Sequence, residues 1–182
     1  MRKSPRVLAY GDSLTAGFCD GGASFWPWAP VLQHLLGGGA VVDHIGLSGW
    51  TTSEMLHATG RDQSLRDKLE GAALVGKPYT SVIIMAGTND IGQQTPPAFI
   101  VQNLEALHSE AHRQGASSVA MSIPESLAAA TVPWLGTART KTNEQLLRWA
   151  RAENRTAKVL FVDAAALVPY QAGALWEPGE SV

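Results

Sequence analysis

Arg6-Val7-Leu8-Ala9-Tyr10-Gly11-Asp12-Ser13-Leu14-Thr15-Ala16-Gly17 decides the fold of this chain. Val7 to Tyr10 is apolar, short and rich in β-formers, which predicts a buried strand. The run stops at Gly11, and Asp12 and Ser13 behind it are turn formers. Ser13 therefore stands just past the carboxyl end of a strand, where open α/β sheets place their ligands. Gly11 and Gly17 bracket it and let the backbone come close to a bound molecule. A strand and a polar turn would account for Gly-Asp-Ser alone, so the motifs behind later strands carry the argument.

Outward from this stretch, strands and helices alternate. Phe25 to Leu36, punctuated by Pro27 and Pro30, reads as a loop running into a helix that ends at Gly37-Gly38-Gly39. Ala40 to Ile45 is a second strand, closed by Gly46. A helical segment follows from about Thr52 to Leu74, interrupted near Gly60. Tyr79 to Ala86 holds the unbroken apolar run Val82-Ile83-Ile84-Met85, which suits a central parallel strand covered on both faces. Pro97 opens a helix whose Ile100, Leu104, Leu107 and Ala111 form one buried stripe, ended by Gly115. Ser118 to Ile123 is the fourth strand, Asn143 to Glu153 a helix, and Lys158 to Val162 the fifth strand. Such alternation requires right-handed crossovers and a parallel sheet. The expected fold is α/β, a three-layer sandwich around a five-stranded parallel sheet of flavodoxin type, as one domain over 1–182.

Bulk properties narrow the function. The length of 182 residues suits one domain with its own core and is short for two. A charged fraction of 16% argues against disorder, and a net charge of −2 gives no electrostatic reason to expect nucleic acid or an anionic membrane as partner. Cys19 is the only cysteine, which excludes an intrachain disulfide and a Cys-rich metal site. No apolar stretch is long enough for a secretory leader before Gly11, and no window approaches a membrane span. The expectation is a cytoplasmic protein without cofactor or metal.

Two further motifs follow strands. Gly46-Leu47-Ser48-Gly49-Trp50-Thr51-Thr52 closes the second strand, and Ala86-Gly87-Thr88-Asn89-Asp90 closes the central one. Taken singly, the first is a tight turn with a helix N-cap, and the second a turn in which Asp90 caps the next segment. Together with Gly11-Asp12-Ser13-Leu14-Thr15-Ala16-Gly17 they resemble the sequence blocks of the GDSL, or SGNH, hydrolase family, over roughly Arg6 to Trp176. The resemblance implies that Ser13 is an acyl-accepting nucleophile whose own N–H serves the oxyanion. It implies the Gly49 backbone N–H as the second oxyanion donor and the Asn89 side-chain amide as the third. One departure is His44, which stands where the family often has asparagine. Three successive parallel strands bring their ends to one rim, and ester cleavage needs that combination of nucleophile and preorganised donors.

A serine nucleophile also needs a general base, normally a histidine oriented by a carboxylate. The resemblance implies both in an Asp-x-x-His block just after a segment like Gly173-Ala174-Leu175-Trp176-Glu177-Pro178. Here Gly179-Glu180-Ser181-Val182 follows, and no histidine comes after His112. The block and the family's final helix, which packs on the sheet, are expected to be missing and the domain truncated. An apolar strip on one sheet face would then lie open to self-association. His57, His108 and His112 fall on predicted helices and His34 at the end of one, where surface or capping roles are expected. His44 lies near the rim, with loop anchoring its expected task. Glu177 and Glu180 are carboxylates near the right place, but poor bases for serine without imidazole. Losing the base of a serine hydrolase costs about 10⁶ in kcat, while about 10³–10⁴ over water survives from the oxyanion hole and binding. The chain is therefore expected to be a crippled esterase; a truncated product, a pseudoenzyme and a protomer completed by its partner all remain open.

For substrate, Trp26, Trp28 and Trp50 cluster near the first two blocks and are candidates to line an acyl or aryl pocket or to stack on a sugar. Trp50 and Asp12 are the expected substrate contacts. Short loops imply an open site without a lid, suited to small soluble esters. The rival reading is a catalytically silent module that binds esters or carbohydrate on the same rim. A phosphate binder fits poorly, because Asp12 sets a carboxylate where phosphate would lie.

Overall fold

The computed structural model describes residues 4–156 and 158–170. Strand β1 (Arg6–Gly11) runs into the one-turn helix α1 (Ser13–Ala16). A small antiparallel hairpin, β2 (Phe18–Cys19) and β3 (Ser24–Phe25), precedes α2 (Ala29–Leu35). Next come β4 (Val41–Gly46), α3 (Thr52–His57), α4 (Leu65–Leu74), β5 (Ser81–Met85) and α5 (Thr88–Gly92). The chain continues through α6 (Pro97–Arg113), β6 (Ser117–Met121), α7 (Leu127–Thr131), α8 (Pro133–Glu153), β7 (Val159–Val162) and α9 (Ala164–Leu167).

The main sheet has five parallel strands in the order β4-β1-β5-β6-β7. Numbered within the sheet this is 2-1-3-4-5, the flavodoxin-like order, whose direction of growth reverses between β1 and β5. Ser13 and Asn89 follow the two strands that flank the reversal.

One sheet face buries Leu8, Tyr10, Val82, Ile84 and Ala120 against α4, α6 and α8. Ile100, Leu104, Leu107 and Ala111 are all at most 2% exposed, so the stripe lies on the sheet as its spacing predicts. Burying each such Leu or Ile stabilises by about 1.5–3 kcal/mol. On the other face, Val7, Ala9 and Val42 pack beneath Ala29, Leu32 and Trp28. Toward β7 the residues pointing the same way, Ile83, Val119, Met121 and Val162, are only half-buried, and Leu160 is 60% exposed. The segment from Gly173 to Pro178, with Glu177, Glu180 and the place of the expected missing helix, lies outside the described residues.

Two expectations need correction, and two short elements come in addition. Helix α8 begins at Pro133, not Asn143, because its first turns carry Gly136, Thr137 and Thr140 and show little apolar periodicity. The β2–β3 hairpin and α7 are too short for any periodic signal. His108 is not a surface residue. It lies one turn after Leu104 on the buried stripe, wholly enclosed, with its Nδ1 2.8 Å from the Ser118 hydroxyl and its ring on Trp149 at 4.9 Å between centroids. His112 Nε2 approaches the same hydroxyl at 2.9 Å. Burial, with the neighbouring His112, pushes the His108 pKa down to about 3.

Candidate active site

Three strand ends lie abreast. Gly11 pairs with Gly46 on one side and Met85 on the other. The pairing runs one residue further on both sides, through Leu47 N–H to Gly11 O at 2.8 Å and Asp12 N–H to Met85 O at 3.4 Å. Close approach dictates two of these glycines. A Cβ on Gly11 would stand 1.9 Å from the Met85 carbonyl, and one on Gly46 2.3 Å from the Ala16 nitrogen. Helix α1 can therefore turn sharply off β1 and lie against the end of β4.

Asp12 caps α1, its Oδ1 accepting the Leu14 N–H at 3.0 Å. It is wholly buried, which removes the expected contact with substrate: its work is to hold the turn that presents Ser13. Burial pushes its pKa up to about 6, partly offset by the Leu14, Thr88 and Gly87 backbone amides, with the nearby Asp90 charge adding to the rise. Oδ2 has no hydrogen bond of ordinary geometry, so the Gly87 and Thr88 amides stabilise its charge without closing on it. Ser13 is 7% exposed at the first position of α1, and its side chain makes no hydrogen bond with the described residues.

The second block places Gly49 in the left-handed region at φ +81°, exposed, with open space where a Cβ would stand. Its N–H has no partner among the described residues. Helix α3 starts just behind it with a capping box: Thr51 N–H donates to Glu54 at 2.7 Å, and Glu54 N–H to the Thr51 hydroxyl at 3.3 Å. The third block forms α5, opened by Gly87 at φ +118°. The Asn89 amide donates to the Trp50 carbonyl at 2.9 Å. An amide nitrogen carries two hydrogens, so one donor of Asn89 stays free.

The sequence reading gave Thr52 and Asn103 no role in the site and Asp90 only that of a cap. Asp90 accepts the Thr52 N–H at 2.8 Å and the Thr52 hydroxyl at 2.6 Å, while the Asn103 amide donates to that hydroxyl at 3.1 Å. The expected role of Asp90, capping the following segment, is replaced by a tie to α3. Adjacent polar residues in two motifs were the only available signal, and pairing across the sequence is invisible in it.

Two hollows flank the rim. An open groove of about 560 Å³ runs beside β4, with Ala16, Pro27, His44, Ser48, Trp50 and Lys68 in its walls. Ser13 is not in its walls, though Ala16 of the same one-turn helix is. A cavity of about 80 Å³ lies on the other side, below Thr88, walled by Ile91, Ile123, Ala128, Leu135 and Arg139. Of the three clustered tryptophans, Trp50 lines the groove. Trp26 is 78% exposed, and Trp28 packs into the sheet. Among the described residues no three His, Cys, Asp or Glu side chains are grouped to hold a metal ion, and no helix is long and apolar enough to cross a membrane.

A flavodoxin-like parallel sheet carrying Gly-Asp-Ser-Leu, Gly-x-Ser-Gly and Gly-Thr-Asn-Asp at adjacent strand ends defines a class of α/β hydrolytic proteins. The model of the GDSL-like lipase/acylhydrolase family matches residues 9–180, and the chain belongs to that family. By family it is a carboxylic ester hydrolase. Solved structures share the fold. A carbohydrate acetylesterase family member from Sinorhizobium meliloti is 24% identical, with 89% of this chain and 84% of that one covered at a TM-score of 0.64. A G-D-S-L lipolytic protein from Veillonella parvula is 19% identical over 87% and 76%, at 0.65. The SGNH-hydrolase family esterase AlinE4 is 20% identical over 98% and 89%, at 0.64. No curated protein sequence matches the chain.

Proposed function

We propose that the chain cleaves small carboxylic esters by acyl transfer through Ser13. The Ser13 oxygen attacks the ester carbonyl, and the oxyanion is taken up by the N–H groups of Ser13 and Gly49 and the free hydrogen of Asn89. One observation carries the reading: among the described residues, three abutting strand ends present a hydroxyl without a partner, an N–H without a partner and a half-used amide. The cavity of about 80 Å³ suits an acyl group of a few carbons, and the larger groove, with Trp50, Lys68 and Ser48, suits a polar alcohol.

The proton of Ser13 is the weak point. All five histidines are described residues, and none bonds Ser13. His57 is tied to the Ser53 carbonyl at 2.7 Å, His108 and His112 to Ser118, while His44 faces the groove and His34 lies on α2. With no imidazole at the serine, these residues by themselves turn over slowly, on the order of 10³–10⁴ above water. The same observation favours a second reading, a silent module that binds esters or carbohydrate on this rim.

A fluorophosphonate probe separates the two, with Ser13→Ala as control. Covalent labelling of the parent, lost in the variant, supports the esterase, as does p-nitrophenyl acetate hydrolysis above the variant's rate. A parent that is neither labelled nor faster than Ser13→Ala overturns it in favour of the silent module.

A further inference from the structure

Asn89 and Gly49 belong to segments that touch through side chains, and two links hold them. Asn89 donates to the carbonyl of Trp50, the residue after Gly49. Asp90, the residue after Asn89, takes both the N–H and the hydroxyl of Thr52, two positions beyond Trp50. The segment of Asn89 and Asp90 therefore gives one donor and receives two, within a span of four residues on one side and two on the other. The second link is fully enclosed: Thr52 is 0% and Asp90 1% exposed. Thr52 is the first residue of α3, where a helix leaves its N–H without an internal partner, so the carboxylate supplies what the capping residue Thr51 does not.

The Thr52 hydroxyl has one hydrogen. It spends it on Asp90 and accepts the Asn103 amide on a lone pair, which anchors the link to the long helix α6. Such a chain, from a neutral amide through a hydroxyl to a buried carboxylate, polarises in one direction and stiffens.

We propose that Asp90, Thr52 and Asn103 form a positioning clamp that fixes the distance between the Gly49 N–H and the Asn89 amide. The inference rests on the reading of those two groups as oxyanion donors. None of the three clamp residues touches the reacting atoms. They act through Gly49 and Asn89, and a donor set that is loose by about 1 Å can lose about 10² in rate.

The test compares Thr52→Val, which keeps the shape and deletes the hydroxyl, with Thr52→Ser, which keeps it. Phosphonylation of Ser13 by a fluorophosphonate is followed as a maximal rate and an apparent affinity. The clamp predicts a maximal rate about 10- to 100-fold lower in Thr52→Val, an affinity within about twofold, and recovery in Thr52→Ser. A Thr52→Val protein that folds and reacts like the parent overturns it, and so does a loss that Thr52→Ser does not restore. Should Thr52→Val not fold, Asn103→Ala removes only the outer link and is expected to slow the reaction about 3- to 10-fold, no change there counting against the clamp. A second readout does not need reactivity: the Gly49 amide and Asn89 side-chain amide resonances should both shift or broaden in the valine or alanine variant. If the parent is not labelled at Ser13, the hydrolase reading falls, and these two resonances still decide the clamp, unmoved signals refuting it.

Discussion

The side-chain amide of Asn89 donates to the main-chain carbonyl of Trp50 at 2.9 Å, joining the end of the central strand to the loop after the edge strand. That bond fixes the amide plane and leaves the second hydrogen without a partner among the described residues. Asn89→Ala should lower the rate of Ser13 phosphonylation by about 10²–10³. Its effect on stability, read from the urea midpoint, should be only about 1 kcal/mol, the worth of one ordinary hydrogen bond. A large stability loss with an unchanged rate would assign Asn89 to the fold alone.

Gly49 and Gly46 should respond to alanine in opposite ways. At Gly49 nothing occupies the Cβ position, so the cost is the left-handed backbone, about 1–2 kcal/mol, together with partial shielding of the N–H. Gly49→Ala should therefore fold and react slowly. At Gly46 a Cβ would lie 2.3 Å from the Ala16 nitrogen, a backbone atom that cannot move without α1. Gly46→Ala should lower Tm much further than Gly49→Ala, and equal Tm values would contradict the packing of α1 on β4.

Two buried groups make stability depend on pH in opposite senses. His108 titrates near 6.5 when unfolded and about 3 when folded, so its contribution is complete above about 6.5 and is lost on acidification. Asp12 titrates near 3.8 unfolded and about 6 folded, so its contribution is complete below about 3.8 and is lost as pH rises through about 6. Between pH 4 and 6 the two slopes oppose. Unfolding free energies of Asp12→Asn, measured by urea, should rise across that window more steeply than the parent's, by up to about 1.4 kcal/mol per pH unit. His108→Leu should change the slope in the other direction. Parallel curves for parent and Asp12→Asn would mean that Asp12 is ionised throughout.

Filling the small cavity should shorten the accepted acyl group. Ala128→Leu adds about three methylene equivalents to a space of about 80 Å³ beside Thr88. On p-nitrophenyl esters the butyrate-to-acetate rate ratio should fall about 10-fold, the acetate rate being nearly kept. An unchanged ratio would place the acyl group elsewhere, with the groove beside Trp50 the next place to test.

Periodicity decided the sheet. Val7 to Tyr10 and Val82 to Met85 are too apolar and too short for anything but covered strands, and the stripe from Ile100 to Ala111 had to lie on them. A glycine or turn former directly behind such a run is a local signal for a strand end, and the resemblance of the three strand-end motifs to a hydrolase family singled out Ser13, Gly49 and Asn89. His108 was legible in principle, standing one turn after Leu104, but its polarity spoke for the surface until Ser118 from another element supplied its partner. Asp12 was misassigned for a related reason: burial is a property of what surrounds a residue.

By itself, then, the chain determined its alternating parallel fold, which follows from the order of apolar runs and breaks, while the roles expected of Ser13, Gly49 and Asn89 came from the resemblance of three strand-end motifs to a hydrolase family. Only the tertiary structure decided which groups face each other: Asp90 on Thr52, Asn89 on Trp50, and two histidines on Ser118 far from the nucleophile. Hydrogen bonds between residues tens of positions apart depend on strand order and helix placement, and no local pattern records them.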